Sequence, residues 1–364
     1  MQNDECRMMN DKINLPIYQP TNLPIYQYPM TDNWNMLGHE WAVDMLHQHA
    51  ARGDVRHAYL FCGPPGLGRR TLALRLAQAL NCTTPIAAGV PCGNCRDCKQ
   101  IESMQHPDMN VIQSLDSDGL PKEGGTLKVD QVRAVQHSLS LRPYQAKYRV
   151  ALFLRFQEAN DNAANALLKT LEEAPAHAIL LLTADTPEQL LPTIVSRCEI
   201  LRLRALPVSA IESDLLARGV EEERARLLSH ISGGRPGYAR KLIDDFTLLE
   251  KREERLDDLQ ILLPAPRVEK FSYADKLSKD KDVMRQTILI WLSYWRDVML
   301  RAAQAETPLT NIDRNMEIEF LAGRLDLSTA RRVVSDLEST LEKMDRNVNS
   351  RLLAEVLLLD WPKI

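Results

Sequence analysis

The chain has 364 residues, of which 45% are hydrophobic and 26% charged, a balance that excludes a disordered or collagen-like polymer and predicts two or three domains. Net charge is −4, so a protein whose main task is gripping nucleic acid is a poor fit, and protein partners are expected instead. The most apolar stretch, Ile288 to Leu300, is interrupted by Ser293, Arg296 and Asp297, and no run approaches the ~18 residues of a membrane span. Without a basic region leading into an apolar segment, a cytoplasmic location is expected.

Residues 1–30 read as a flexible tail rather than a domain. They hold a near-perfect repeat, Asn14-Leu-Pro-Ile-Tyr-Gln19 and Asn22-Leu-Pro-Ile-Tyr-Gln27, and each copy carries a proline hostile to regular structure. A partner-binding linear motif is the alternative reading of that repeat. From Trp34, strand and helix patterns alternate. His57 to Cys62 is an apolar run feeding a glycine loop, and Thr71 to Asn81 repeats Leu72, Leu76, Ala79 and Leu80 at helical spacing. Further short apolar runs cover residues 109–112, 149–154, 179–183 and 200–203, which predicts a parallel α/β sheet covered on both faces. Residues 116–125 read as an exposed loop. Residues 162–175 form a helix with Ala164, Leu167, Leu168 and Leu171 inward, stopped by Pro175. After Pro207 the strand signals cease. Residues 206–245 read as a small helical lid, broken at Gly233-Gly234 and Pro236-Gly237, and 246–364 as an all-α domain with Ile288, Trp291, Leu292, Trp295 and Leu300 on one apolar face. The α/β domain accordingly occupies 31–205.

Gly63-Pro-Pro-Gly-Leu-Gly-Arg-Arg-Thr71 stands where a phosphate-binding P-loop belongs, between a buried strand and a helix. Gly63, Gly66 and Gly68 allow the backbone to curl toward a phosphate. The lysine and hydroxyl that should follow Gly68 are replaced by Arg69 and Arg70, with Thr71 one place late. Arg69 keeps a positive charge, but its forked head does not reproduce a compact ammonium, and Arg70 cannot bind magnesium. The strand at 149–154 should end in an Asp-Glu pair that holds the metal and orients water, yet Leu154 and Arg155 stand there. Both halves of an ATPase site are missing, so ATP binding is not expected and hydrolysis still less. Cys82, Cys92, Cys95 and Cys98 have a spacing that suits four thiolates around a tetrahedral structural zinc, within a module at 82–98; an iron–sulfur cluster and unliganded thiols are the competing readings. With seven cysteines in all, an odd number, a disulfide framework is not expected.

The residues at 56–61, the glycine loop, Asn81-Cys82 with its cysteine partners, His106-Pro-Asp108, Asn165 to Glu173 and Ser196-Arg-Cys198 together resemble bacterial DNA polymerase III clamp-loader subunits, which are AAA+ proteins. Trp34 to His39 is similar to the box that opens such domains, and Trp295 to Leu300 to part of the family's C-terminal collar. The resemblance implies an AAA+ P-loop domain, a lid and an all-α collar. Loss of both the lysine and the acids matches the family's non-hydrolysing branch. The resemblance further implies a ring with gamma/tau and delta subunits, Arg197 reaching as an arginine finger into a neighbouring gamma/tau ATP site, and loading of a sliding clamp on primed DNA. Cys198 is read as a packing residue. The first-sensor position falls between Thr183 and Asp185, and Arg235 is not assigned to the second sensor. Two other readings stay open. One is a gamma/tau-like ATPase in which Arg69 and an acid such as Glu158 or Asp161 replace the lost groups. The other is a zinc-dependent nucleic-acid-binding scaffold, with Arg96 and Lys99 beside the cysteine turn as a local patch.

Overall fold

The computed structural model describes residues 33–116, 120–346 and 348–362. The N-terminal repeat lies outside the described residues. Five strands, β1 (Ala58–Cys62), β2 (Met109–Ile112), β3 (Arg149–Phe153), β4 (Ala178–Ala184) and β5 (Glu199–Arg202), pair in parallel in the order β2-β3-β4-β1-β5. Every residue of β1, β3 and β4 is buried, which explains why these strands read as continuous apolar runs. Side chains of successive residues point to opposite faces. Tyr59 and Phe61 therefore pack with α1 (Glu40–Arg52), α2 (Arg69–Asn81) and α3 (Arg96–Glu102), through Leu46, Leu72, Leu76 and Ile101. Leu60 and Cys62 pack on the other side with α4 (Val129–Ser140), α5 (Asp161–Glu172) and α6 (Pro192–Val195), through Val132, Leu167 and Ile194. In α5 the inward stripe is Ala163, Ala164, Leu167 and Leu171; Leu168, expected inside, is only half-buried. The chain crosses from β1 to β2 over two intervening strands, so the loop after β1 opens at the sheet's C-terminal edge between β4 and β5.

Three short helices follow, α7 (Val208–Ala217), α8 (Glu222–Ile231) and α9 (Pro236–Asp244), around a core of Ile211, Leu215, Leu228 and Leu242. Gly233 and Gly234 take positive φ and end α8 as expected. Pro236-Gly237, by contrast, does not break a helix but begins one: Pro236 occupies the first turn of α9, where its missing N–H costs nothing. The remaining helices are α10 (Thr247–Leu262), α11 (Arg267–Leu277), α12 (Lys281–Ala302), α13 (Asn315–Ala322), α14 (Leu327–Asp345) and α15 (Ser350–Leu359). Their core closes on Trp291, Trp295 and Trp361, with Trp291 and Trp361 edge to face at 4.9 Å. Tyr294 and Val298 complete the inward stripe of α12, whereas Leu292 and Leu300 are only partly buried. Asp297, an interruption in the sequence, is buried and accepts hydrogen bonds from the main-chain N–H groups of Thr310 and Asn311 and from the Asn311 side chain. Among the described residues no helix is long and apolar enough to cross a membrane.

Candidate functional site

The glycine loop keeps its backbone shape. Gly63, Gly66 and Gly68 have φ of 144°, 89° and 97°, values that side-chain-bearing residues rarely adopt, and Gly68 leads directly into α2. Its side-chain chemistry is turned inward. Arg69 is buried, and its guanidinium donates to the Asp185 carboxylate at 2.7 Å, just past the end of β4. Arg70 is exposed and Thr71 half-buried within α2. Helix α9 sits on the loop from above. The Gly237 N–H donates to the Gly66 carbonyl at 2.8 Å, and a methyl group added at Gly66 would lie 3.1 Å from the Tyr238 nitrogen. Arg235 packs at this junction, its guanidinium 4.6 Å from the Tyr238 ring centre and its Nε donating to the Ser232 carbonyl. Burial draws the Arg235 pKa below its ordinary value.

Around the expected acid position the groups are also committed. The Arg155 N–H donates to the Thr183 hydroxyl at 2.9 Å, tying β4 to the end of β3. Glu158, the acid proposed to rescue an ATPase, is used elsewhere. It accepts from the Gly124 N–H at 2.9 Å, from Arg155 Nε at 2.8 Å and from the Ser114 hydroxyl, and so braces the loop after β2. Asp161 is exposed in the first turn of α5.

At the opposite end of α2 the four cysteines converge. Cys82 caps the helix, Cys92 and Cys95 flank a turn through Gly93 (φ 71°), and Cys98 lies buried in α3. All four sulfurs lie within 4.8 Å of one another, with Cys82 to Cys92 at 3.5 Å and Cys82 to Cys95 at 3.9 Å. A tetrahedron with ~2.3 Å zinc–sulfur bonds has sulfur–sulfur edges of roughly 3.8 Å, so the donor set fits such an ion. Main-chain N–H groups of Asn94 and Cys95 point at Cys92 Sγ, and that of Cys98 at Cys95 Sγ. Burial raises the Cys92 thiol, but these N–H donors and the Thr84 hydroxyl outweigh it and bring it down to about 6. Cys95 is lowered in the same way, whereas burial pushes Cys82 and Cys98 up. Arg96 and Lys99 are exposed on the outer side of α3.

His106-Pro-Asp108, noted in the sequence only as part of a resemblance, proves to be the joint between this module and the sheet. Asp108 is wholly buried. Its carboxylate accepts the N–H groups of Tyr144, Gln145 and Ala146 at 2.6, 2.8 and 3.0 Å, and pairs with Arg149 at 3.1 Å. His106 Nδ1 accepts the Asp108 N–H, leaving Nε2 to donate toward Asp97 on α3 at 3.3 Å. The signal was there in the sequence, a His and an Asp two apart before a strand, but the partners of Asp108 come from a loop and strand start much further along the chain.

Arg197 follows α6 and precedes β5. Its guanidinium donates to the Thr193 carbonyl at 2.8 Å and to Glu172, at the end of α5, at 2.6 Å; both partners of this ion pair are partly exposed. Cys198 beside it is packed against the sheet core, and burial pushes its thiol up to about 12.

A five-stranded parallel sheet with a glycine loop after the interior strand β1, a helical lid seated on that loop and a separate helical bundle define an AAA+ P-loop architecture, here with a four-cysteine module at the C-terminal end of α2. The family model described as DNA polymerase III, delta subunit matches residues 38–207, and its C-terminal counterpart matches 247–363. DNA polymerase III subunit delta' of Pseudomonas aeruginosa is 31% identical over 89% of this chain and 97% of that protein; the Bacillus subtilis subunit delta' is 30% identical over 86% and 93%. Subunit tau of Escherichia coli is 34% identical over 50% of this chain but only 27% of its own length. The chain belongs to the DNA polymerase III subunit delta-prime family.

Proposed function

We propose that this chain is a non-hydrolysing member of a clamp-loader ring with gamma/tau and delta subunits, and that it helps place a sliding clamp on primed DNA in the cytoplasm. The observation that carries the reading is the asymmetry of its two arginines. Arg69, in the loop, is buried against Asp185, whereas Arg197 is held at the surface by a half-exposed carboxylate. The first is spent internally. The second is available to a neighbour, because an exposed ion pair is worth only ~0–1 kcal/mol and a triphosphate carries more charge than Glu172. Arg197 then stabilises charge on the transferring phosphoryl group of a gamma/tau site in trans. The degenerate loop (Gly63, Gly66, Gly68, Arg69, Thr71) holds no nucleotide, since the phosphate position is approached by the backbone of α9. Zinc on Cys82, Cys92, Cys95 and Cys98 is structural, as four thiolates leave no open coordination position. Four hydrophobic clusters, one on each face of the sheet, one among α7–α9 and one among the C-terminal helices, support a division into AAA+, lid and collar domains.

The test is the clamp- and primed-DNA-stimulated ATPase of a gamma/tau–delta complex completed with this chain or with Arg197→Ala, assembly of both being verified by native mass spectrometry. Arginine fingers contribute about 10³-fold or more at the site they serve. Stimulation by the unaltered chain, and its loss at one site with an assembled Arg197→Ala ring, supports the reading; equal rates sink it.

A further inference from the structure

Lys147 and Tyr148 lead into β3, and Ala176 and His177 lead into β4, so all four lie on the sheet edge opposite the glycine loop. With Arg142 and Pro143 they line an open pocket of about 360 Å³. The loop that carries four of the six lining residues is fixed through its main chain. Asp108 gathers three consecutive N–H groups, those of Tyr144, Gln145 and Ala146. Arg149 Nη2 donates to the Arg142 carbonyl at 3.1 Å, and the Asn81 side chain clasps both the N–H and the carbonyl of Tyr148, at 2.9 and 3.0 Å. His177 Nε2 donates to the Leu141 carbonyl at 2.9 Å, joining the two sides of the pocket.

A rigid backbone here presents Arg142, Tyr144 and Lys147 to solvent, while Tyr148 packs against the sheet core. Arg142 and Lys147 are exposed, and neither forms an ion pair among the described residues. Lys147 Nζ stands 5.1 Å over the Tyr148 ring. Tyr144 projects from the same loop and is 83% exposed. Two cations without an ion-pair partner and the exposed Tyr144 ring beside a space larger than a small inorganic anion fills suit an anion that also has a flat face.

We propose that this pocket and its rim bind single-stranded DNA, with Arg142 and Lys147 on consecutive phosphates and a base stacked on Tyr144. An acidic peptide would satisfy the cations but leave the exposed Tyr144 ring unused, and for that reason DNA is the better occupant. The site is separate from Arg197, which leads into β5: strand β1 lies between β5 and β4, a spacing of roughly 10 Å across two ladders. The inference therefore stands independently of the finger. Because the chain as a whole carries −4, binding is local and confined to low salt.

The experiment is fluorescence anisotropy of a labelled oligodeoxythymidine titrated with the full chain at low ionic strength. Arg142→Ala with Lys147→Ala is expected to weaken binding about tenfold or more and to flatten the logarithmic salt slope by ~1.4, at ~0.7 per phosphate contact on a single strand. Tyr144→Ala separates stacking from charge and should cost at least ~5-fold, whereas Tyr144→Phe, which keeps the ring, should bind like the unaltered chain. Arg331→Ala with Arg332→Ala removes the same charge from the exposed face of α14 and should change nothing. All these replacements alter exposed side chains, and a thermal melt checks every fold. Absence of binding to the unaltered chain overturns the proposal. So does an equal loss in the α14 control, or competition by polyglutamate as effective as that of unlabelled oligonucleotide.

Discussion

Helix α2 carries a recognisable motif at each end, and the two have had opposite fates. At its N-terminus the glycine loop keeps the positive-φ backbone of a phosphate cradle, while its cations and acids have been replaced or turned to internal partners. At its C-terminus the cysteines keep their donor atoms, within 4.8 Å of one another, and surround them with N–H groups that favour thiolates. Backbone shape and side-chain chemistry can thus be lost independently. A loop without the usual lysine and acids still joins sheet to lid through the Gly237–Gly66 hydrogen bond, which gives its glycines a structural use.

The largest effect should come from breaking the cysteine end. Removing metal with a chelator, or substituting Cys98→Ser, is expected to unfold the module between Cys82 and Asp108 and lower the melting temperature. Small zinc modules draw ~10–16 kcal/mol of apparent folding free energy from the ion. Metal content by mass spectrometry and limited proteolysis check this, and a chelated chain that melts unchanged would show the cluster to be dispensable. Next in size is the joint behind it. Asp108→Asn leaves Arg149 buried and poorly paired, at a cost of about 3–5 kcal/mol in denaturant unfolding. Although burial alone would raise it, the N–H groups of Gln145, Tyr144 and Ala146 and the charge of Arg149 hold the Asp108 carboxyl below its usual range. Its contribution is therefore complete above pH ~4, the unfolded value, and disappears as pH falls through the lowered folded value. The penalty of Asp108→Asn should accordingly shrink in acid.

The loop end predicts smaller changes. Gly66→Ala places a methyl against Tyr238 at a backbone angle suited to glycine, and should cost ~1–3 kcal/mol while loosening the lid, read as faster proteolysis between α8 and α9. Restoring the standard motif with Arg69→Lys and Arg70→Thr should change least of all: no ATP hydrolysis by the isolated chain, because Leu154 and Arg155 still stand in place of the acids and α9 still covers the loop. Measurable turnover in that variant would mean that the loop, not the lid, is what silences the site.

Much of this was legible in advance for a physical reason. Buried parallel strands announce themselves as unbroken apolar runs, and a glycine loop or a cysteine turn is encoded within a few consecutive residues. The helix of residues 161–172 was legible in position but off by one side chain in its stripe, Ala163 serving where Leu168 was expected. Pro236-Gly237 was misread because proline ends one helix and starts another with equal ease, and only the position of α9 on the loop decides between them.

The sequence by itself determined the sheet, the helical tail, the missing ATPase groups and the four-thiol spacing, all properties of neighbouring residues. Tertiary structure alone decided where the charged groups went. Arg69 meets Asp185 across 116 residues, Asp108 meets Arg149 and a distant loop, and Asp297 is buried under Asn311 rather than facing water. A buried charge must find a partner or neutralise, and which partner it finds depends on how the chain returns in space, information that no local pattern carries.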